Sequence, residues 1–250
     1  MFRKFHIAVL ECDTPVPAVK NTRGSYGEIF ESLLSKGLQK LSPPHDVIPV
    51  ITKWDVVASQ EYPDLQEVDA ILISGSKHTA FKDDEWIVSL VAYVKSFLET
   101  ANKPAVGICF GHQIIGRALG AKVGVSPGGW EISVENIDLT PNGEKLLGSK
   151  SLNLHQMHRD AVLEVPQGIL NLGSSPKCEA QGLYKPRRVL SFQAHPEFDN
   201  EIMSEILKTR HSQNVFTDSM YEDGSSRANN KHDGVVVSAL IWKFVLGQLE

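Results

Sequence analysis

The sequence predicts an α/β fold: a mostly parallel central sheet flanked by helices and extended by antiparallel strands. Two patterns carry this reading. Over the first half of the chain, short apolar runs alternate with amphipathic stretches, as strands joined by helical crossovers do. Over residues 131–194, strand-like runs follow one another through short turns, which points to antiparallel additions. A length of 250 residues and a formal net charge of −5 suit one domain spanning 1–250, with ample core.

The elements follow in order. HIAVLE (6–11) reads as a buried strand, and 12–25, with Pro15, Pro17 and Gly24, reads as a loop. In YGEIFESLLSKGLQKL (26–41), Ile29, Phe30, Leu33, Leu34, Leu38 and Leu41 share one helical face. DVIPVI (46–51) and VDAILIS (68–74) are the next strands. Asp83 or Asp84 can cap a helix over 85–99. PAVGI (104–108) is a strand, and 111–119 reads as helix. Strands are expected at 131–140, 161–165, 169–175, 178–185 and 188–194, and helices at 201–210 and 235–249. Residues 211–234 are the most polar stretch and read as partly disordered or as a mobile surface segment.

Composition excludes several classes. The mild acidity, with no basic block, argues against nucleic-acid partners. No apolar run approaches the roughly 18 residues of a membrane span. The start, MFRKFHIAVLECD, lacks a small-residue cleavage site and reads as a first strand rather than a signal peptide. Three widely spaced cysteines without a CxxC pattern point to a reducing compartment, cytoplasmic or nuclear.

The chemistry centres on AVGICFGHQIIGRALG (105–120). Gly107-Ile108-Cys109-Phe110-Gly111 places a thiol between two glycines where a strand turns into a helix. This is the nucleophile-elbow pattern with cysteine in the serine position. In an open α/β sheet such a turn lies at the carboxyl edge, where ligands bind. The helix N-terminus favours thiolate, and the N–H of Phe110 would face a developing oxyanion. A cysteine nucleophile needs a base, and the base needs an orienting group. In SFQAHPEF, His195 follows an apolar strand and Glu197 stands two residues on, so both side chains can project to one side.

GICFGHQ together with HPE resembles the class I glutamine amidotransferases over roughly residues 5–210. The resemblance implies a flavodoxin-like sheet and a Cys109–His195–Glu197 triad. It also implies attack on the γ-amide of glutamine, a γ-glutamyl thioester on Cys109 and release of ammonia, with no cofactor or metal. It places Gly75, in ISGS, with Phe110 in the oxyanion hole, although the usual G-G-P is S-G-S-K-H here. It assigns the substrate pocket to Gln113, to Gly129, Trp130 and Glu131 of SPGGWEI, and to His158 and Asp160 of MHRD. ISGSKHTAFKDDEWI and GICFGHQII resemble most closely the free-standing, GMP-synthase-like subgroup, which includes γ-glutamyl peptidases acting on glutathione-type peptides. The implied partner is a small γ-glutamyl substrate. If ammonia leaves, a separate synthase subunit has to accept it, because no Walker A or ATP-pyrophosphatase signature occurs in these residues. A catalytically idle binding protein on the same fold is the alternative from a different class.

Other signals carry less. GEKLLGSKS (143–151) has Ser-Lys where a phosphate loop needs Lys-Ser, and no apolar strand precedes it. LHQMH (154–158) has histidines at i and i+3 without a third ligand nearby. Cys12 and Cys178 lack the elbow context and read as structural. His112 reads as a packed, hydrogen-bonding residue at the helix start, and His78 as either a pocket or a solvated turn residue.

Overall fold

The computed structural model describes residues 3–41 and 47–249. The first half runs β1 (Arg3–Glu11), α1 (Pro17–Arg23), α2 (Tyr26–Lys40), β2 (Val47–Asp55), β3 (Ala70–Ile73), α3 (Glu85–Ser96), β4 (Ala105–Ile108) and α4 (Phe110–Ala118). A π-helical turn, Phe97–Ala101, continues α3. The second half runs β5 (Val123–Val125), β6 (Glu131–Leu139), α5 (Pro141–Leu147), β7 (Ser151–His158), β8 (Asp160–Val162), β9 (Leu170–Asn171), β10 (Gly173–Ser174), β11 (Gly182–Lys185) and β12 (Val189–Phe192). Helices α6 (Asn200–Ser212), α7 (Asp218–Arg227) and α8 (Gly234–Val245) close the chain.

The main sheet has seven strands in the order β2-β1-β3-β4-β12-β11-β9. The first five pair in parallel, and β11 and β9 add antiparallel at one edge. The strands β3 (AILI) and β4 (AVGI) are buried along their whole length, as parallel strands covered on both faces must be. Side chains alternate between the two faces. Ile7, Val9 and Leu72 pack with Phe30, Leu34 and Trp242 of α2 and α8. Ala8, Leu10, Ile71 and Ile73 pack with Leu90 and Ile114 of α3 and α4. A third apolar cluster joins Ile132, Phe198, Met203 and Phe216 beside the sheet's carboxyl edge. A three-stranded sheet, β10-β6-β7, and the pair β5-β8 are the antiparallel additions.

Several boundaries differ from the sequence reading. The stretch read as a loop holds α1, because Pro17 stands in its first turn, where a missing N–H costs nothing. In the same way Thr140 caps α5 ahead of Pro141. The LHQMH stretch lies in β7, whose partner is β6 from Glu131↔His158 to Asp138↔Ser151. The single strand expected over 169–175 divides at Leu172 into β9 and β10, which belong to different sheets. The segment 211–234 is not disordered: it contains α7, capped by Thr217 and packed against β6 through Gly224 and Ile132. Helix α8 ends at Val245 rather than 249, where the chain turns through Gly247 at φ 70°. The expected start of β2 at Asp46 lies outside the described residues.

Candidate active site

Strands β4 and β12 are neighbours, paired Ser191↔Gly107 and Phe192↔Ile108, and the Cys109 N–H donates to the Phe192 carbonyl (2.8 Å). That pairing brings Cys109 and the chain leading to His195 to the same carboxyl edge. Cys109 has φ 51°, a left-handed conformation that costs a non-glycine residue energy and recurs at functional turns. The flanking glycines are required by close approach rather than by φ. A Cβ on Gly107 would lie 2.6 Å from the Gly111 carbonyl oxygen, and one on Gly111 would lie 2.3 Å from that of Ile73. The helix α4 therefore starts pressed against the sheet, with Cys109 as its N-cap residue and Phe110 in its first turn. The first N–H groups of a helix have no acceptor within it, so the Phe110 N–H is free to serve a ligand.

His195 is fixed from three sides. Its N–H donates to the His155 carbonyl (2.8 Å), and its ring stacks on Phe198 at 4.0 Å. Its Nδ1 lies 2.7 Å from Glu197 Oε1. Burial works against a charged ring, but Glu197 and Cys109 beside it outweigh burial and raise His195 well above the usual histidine range. Gly75 sits between the two functional groups: a Cβ there would be 2.7 Å from His195 Cε1 and 3.7 Å from Cys109 Cβ. The adjoining Ser74 hydroxyl donates to the Gly75 carbonyl and accepts from the Cys12 N–H, which fixes this turn. The imidazole is thus held by Glu197, with Cys109 close to it and no room for a side chain at Gly75.

Cys109 opens onto a cavity of about 430 Å3. Gln113, Trp130, His158 and Asp160 also line it. Gln113 ties the wall together, donating to the Asp160 carbonyl (2.8 Å) and to Gln193 Oε1 (3.1 Å). Trp130 meets Phe216 edge-on at 5.1 Å, and the Arg159 guanidinium lies over its ring. Burial raises the Asp160 carboxyl, and Arg159 works against that shift. His78 lines the cavity too and packs edge-on against Trp86. Gly129 and Glu131 are not on the wall. Glu131 is fully buried and turned inward, accepting from Ser175 Oγ (2.5 Å) and Gln181 Nε2 (2.8 Å). Lys77, Arg159, Arg210 and Asn214 also line the cavity and were not singled out from the sequence. Arg159 adjoins two pocket residues in MHRD, whereas Arg210 and Asn214 lie in or next to the polar stretch and give no local signal.

A second group of the same residue types lies behind this wall. His158 Nε2 is 2.9 Å from Glu131 Oε2, and Cys178 is beside them. Ligand atoms of Glu131, His158 and Cys178 all fall within 4.8 Å of one another, a donor set of the kind zinc accepts. Burial, followed by Glu131, pushes the Cys178 thiol up to about 12, so it stays protonated. Cys178 has no helix N-terminus under it and does not reach the cavity, so it lacks the features that activate a nucleophile. His155 and His158, on opposite faces of β7, do not form a pair; His155 instead faces His232 (4.8 Å).

Fold and site together define an α/β protein with a cysteine at a strand-to-helix elbow, facing a ligand-sized cavity. The chain belongs to the class-I glutamine amidotransferase family, whose profile matches residues 26–213. A glutamine amidotransferase-like protein of Schizosaccharomyces pombe is 37% identical over 97% of this chain and 99% of its own length. γ-Glutamyl peptidase 3 of Arabidopsis thaliana is 32% identical over 82% of this chain and 81% of its own. A glutamine amidotransferase structure from Thermotoga maritima superposes with a TM-score of 0.70 at 16% identity, covering 96% of this chain and 98% of that one. That likeness concerns the fold.

Proposed function

We propose that the protein hydrolyses γ-glutamyl amide bonds through a γ-glutamyl thioester on Cys109. The observation that carries this reading is the sequence of contacts at the carboxyl edge, with Cys109 on a strained elbow, His195 beside it and Glu197 Oε1 2.7 Å from the far ring nitrogen. With His195 raised, the ring holds the proton at neutral pH and leaves the sulfur as the nucleophile. Cys109 Sγ attacks the γ-carbonyl carbon, and the oxyanion takes the N–H groups of Phe110 and Gly75. The C–N bond breaks as His195 gives its proton to the departing nitrogen. Water then adds to the thioester and returns a proton to His195, and the C–S bond breaks to release glutamate. Gln113, Trp130 and Asp160 hold the glutamyl group, with Asp160 facing its ammonium.

Two leaving groups fit this chemistry. If ammonia leaves, the substrate is glutamine, and a separate synthase subunit receives the product. If an amino acid or peptide leaves, the substrate is a γ-glutamyl peptide, as the names of the γ-glutamyl peptidases of Arabidopsis say of those proteins. The test is direct. An electrophilic glutamine analogue should label Cys109, located by peptide mass spectrometry, and Cys109→Ala should lose both labelling and turnover of glutamine and γ-glutamyl peptides. Full turnover in Cys109→Ala, or labelling of Cys178 instead, would overturn the assignment.

A further inference from the structure

Glu131, His158 and Cys178 have no part in the hydrolysis described above, and all three are buried. They come from separate segments: the first residue of β6, the last of β7 and the loop between β10 and β11. Their donor atoms nevertheless gather within 4.8 Å of one another.

The hydrogen bonds around the group fix its donors. His158 Nδ1 is 3.1 Å from the Asp160 carbonyl oxygen, which only accepts. Nδ1 therefore carries a proton, and the neutral ring presents the Nε2 lone pair to Glu131. Nε2 is buried and makes no aligned hydrogen bond, although Glu131 Oε2 lies 2.9 Å away. Two lone-pair atoms at that distance repel unless a proton or a cation stands between them. A proton on Nε2 is poorly aimed, because the ring direction misses the oxygen. The second ligand of an ion held at Nε2 lies off that direction by necessity. Glu131 is oriented by Ser175 Oγ, which donates to Oε1 (2.5 Å), and by Gln181 Nε2, which donates to Oε2 (2.8 Å). The Cys178 N–H donates to the same Ser175 Oγ (3.0 Å). Hydroxyl, amide and carbonyl groups that hold the ligands from behind are the usual outer support of a protein metal site.

The donor types select the ion. Imidazole, carboxylate and thiolate together suit zinc, whereas calcium and magnesium take oxygen. One carboxylate and one thiolate also cancel the double charge of the ion, so the buried group is neutral once the thiol proton has left.

We infer that Glu131, His158 and Cys178 bind a zinc ion behind the wall of the cavity, with the Cys178 proton released to solvent on binding. Three protein ligands leave the fourth position to water. The ion fastens the 175–178 turn to the adjoining ends of β6 and β7. Lys177 of that turn donates to the Trp130 carbonyl (2.8 Å), and Ser126 Oγ donates to the Lys177 carbonyl (2.5 Å). Trp130 and His158 both line the cavity, so the site is a clamp beneath its wall.

The test uses the full chain carrying Cys109→Ala, so that the elbow thiol cannot supply a ligand. Titrated with cobalt(II) alone, this protein should take up one equivalent and show a thiolate-to-cobalt charge-transfer absorption. Zinc alone should displace the cobalt with a Kd of about 1 μM or tighter and raise the thermal midpoint by several degrees. Adding Cys178→Ser should abolish the absorption and weaken zinc binding about a hundredfold. Adding Glu131→Gln instead should keep the absorption and weaken binding by about tenfold or more. The absorption is read in the parent protein before either variant, so a variant that fails to fold leaves the test intact. No uptake by the Cys109→Ala protein, uptake without the charge-transfer absorption, or an absorption that survives Cys178→Ser would overturn the site. None of these readouts needs turnover, so the hydrolase reading stands or falls separately.

Discussion

At Glu197 one oxygen lies 2.7 Å from His195 Nδ1, while Oε2 is buried without a hydrogen-bond partner among the described residues. A carboxylate so placed has the neighbouring imidazolium as its main source of stabilisation, and it holds the ring in one orientation. Glu197→Gln is expected to lower kcat by about 10²–10⁴ with little change in KM. Glu197 also helps to raise His195, so the alkaline limb of the kcat/KM profile, where the imidazolium loses its proton, should move toward neutral pH in this variant. Stopped-assay profiles of the two proteins check both effects. Gly75 is as exacting for a steric reason. A methyl there would stand 2.7 Å from His195 Cε1, so Gly75→Ala should displace the ring and lower kcat about a hundredfold. Steady-state kinetics beside a circular-dichroism spectrum separate this from a folding defect.

At the scale of elements, the elbow depends on how closely α4 approaches the sheet. Its first turn has no room for a Cβ at Gly111, because the obstacle is the backbone of β3 rather than a side chain that could move. Gly111→Ala should therefore destabilise the protein by about 1–3 kcal/mol, read as a lower urea midpoint at unchanged slope. Helix α6 begins three residues after Glu197, capped by Asp199, whose Oδ1 accepts from the Ile202 N–H (3.0 Å). Asp199 Oδ2 also pairs with Arg23 of α1 at 3.0 Å. Asp199→Ala should cost about 1 kcal/mol by loss of the cap, measured in the same titration. The half-exposed ion pair adds little to that figure.

Across the whole molecule, buried histidines link stability to pH. Burial pushes His112 and His155 down to about 3, so both are neutral in the folded protein. Between about pH 6.5 and 3 the unfolded chain binds protons that the folded one does not, so stability falls as pH is lowered through that window. His195 has the opposite sign: it is raised, and its contribution is present at neutral pH and is lost as pH rises through its folded value. Thermal midpoints between pH 7 and 4 should decline, and His155→Leu should flatten the slope by up to one proton. Among the described residues neither ring nitrogen of His155 has a hydrogen-bond partner to lose.

Much of this was legible in the sequence. The parallel strands announced themselves as short apolar runs, and G-x-C-x-G marked a turn whose glycines have no space for a side chain. His195 and Glu197 could be read because they stand two residues apart just beyond an apolar strand, although a turn rather than extended chain joins them. Local chemistry determined these features, since periodicity and turn geometry depend on near neighbours in the chain. The tertiary structure decided the rest. Pairing of β4 with β12 brought Cys109 to His195. Packing of β6 against β7 turned Glu131 inward to His158 and away from the cavity. The fold of α6 and α7 delivered Arg210 and Asn214 from a stretch whose polarity resembled that of any solvated surface. Which side chains line a cavity depends on everything packed around it, and no run of adjacent residues encodes it.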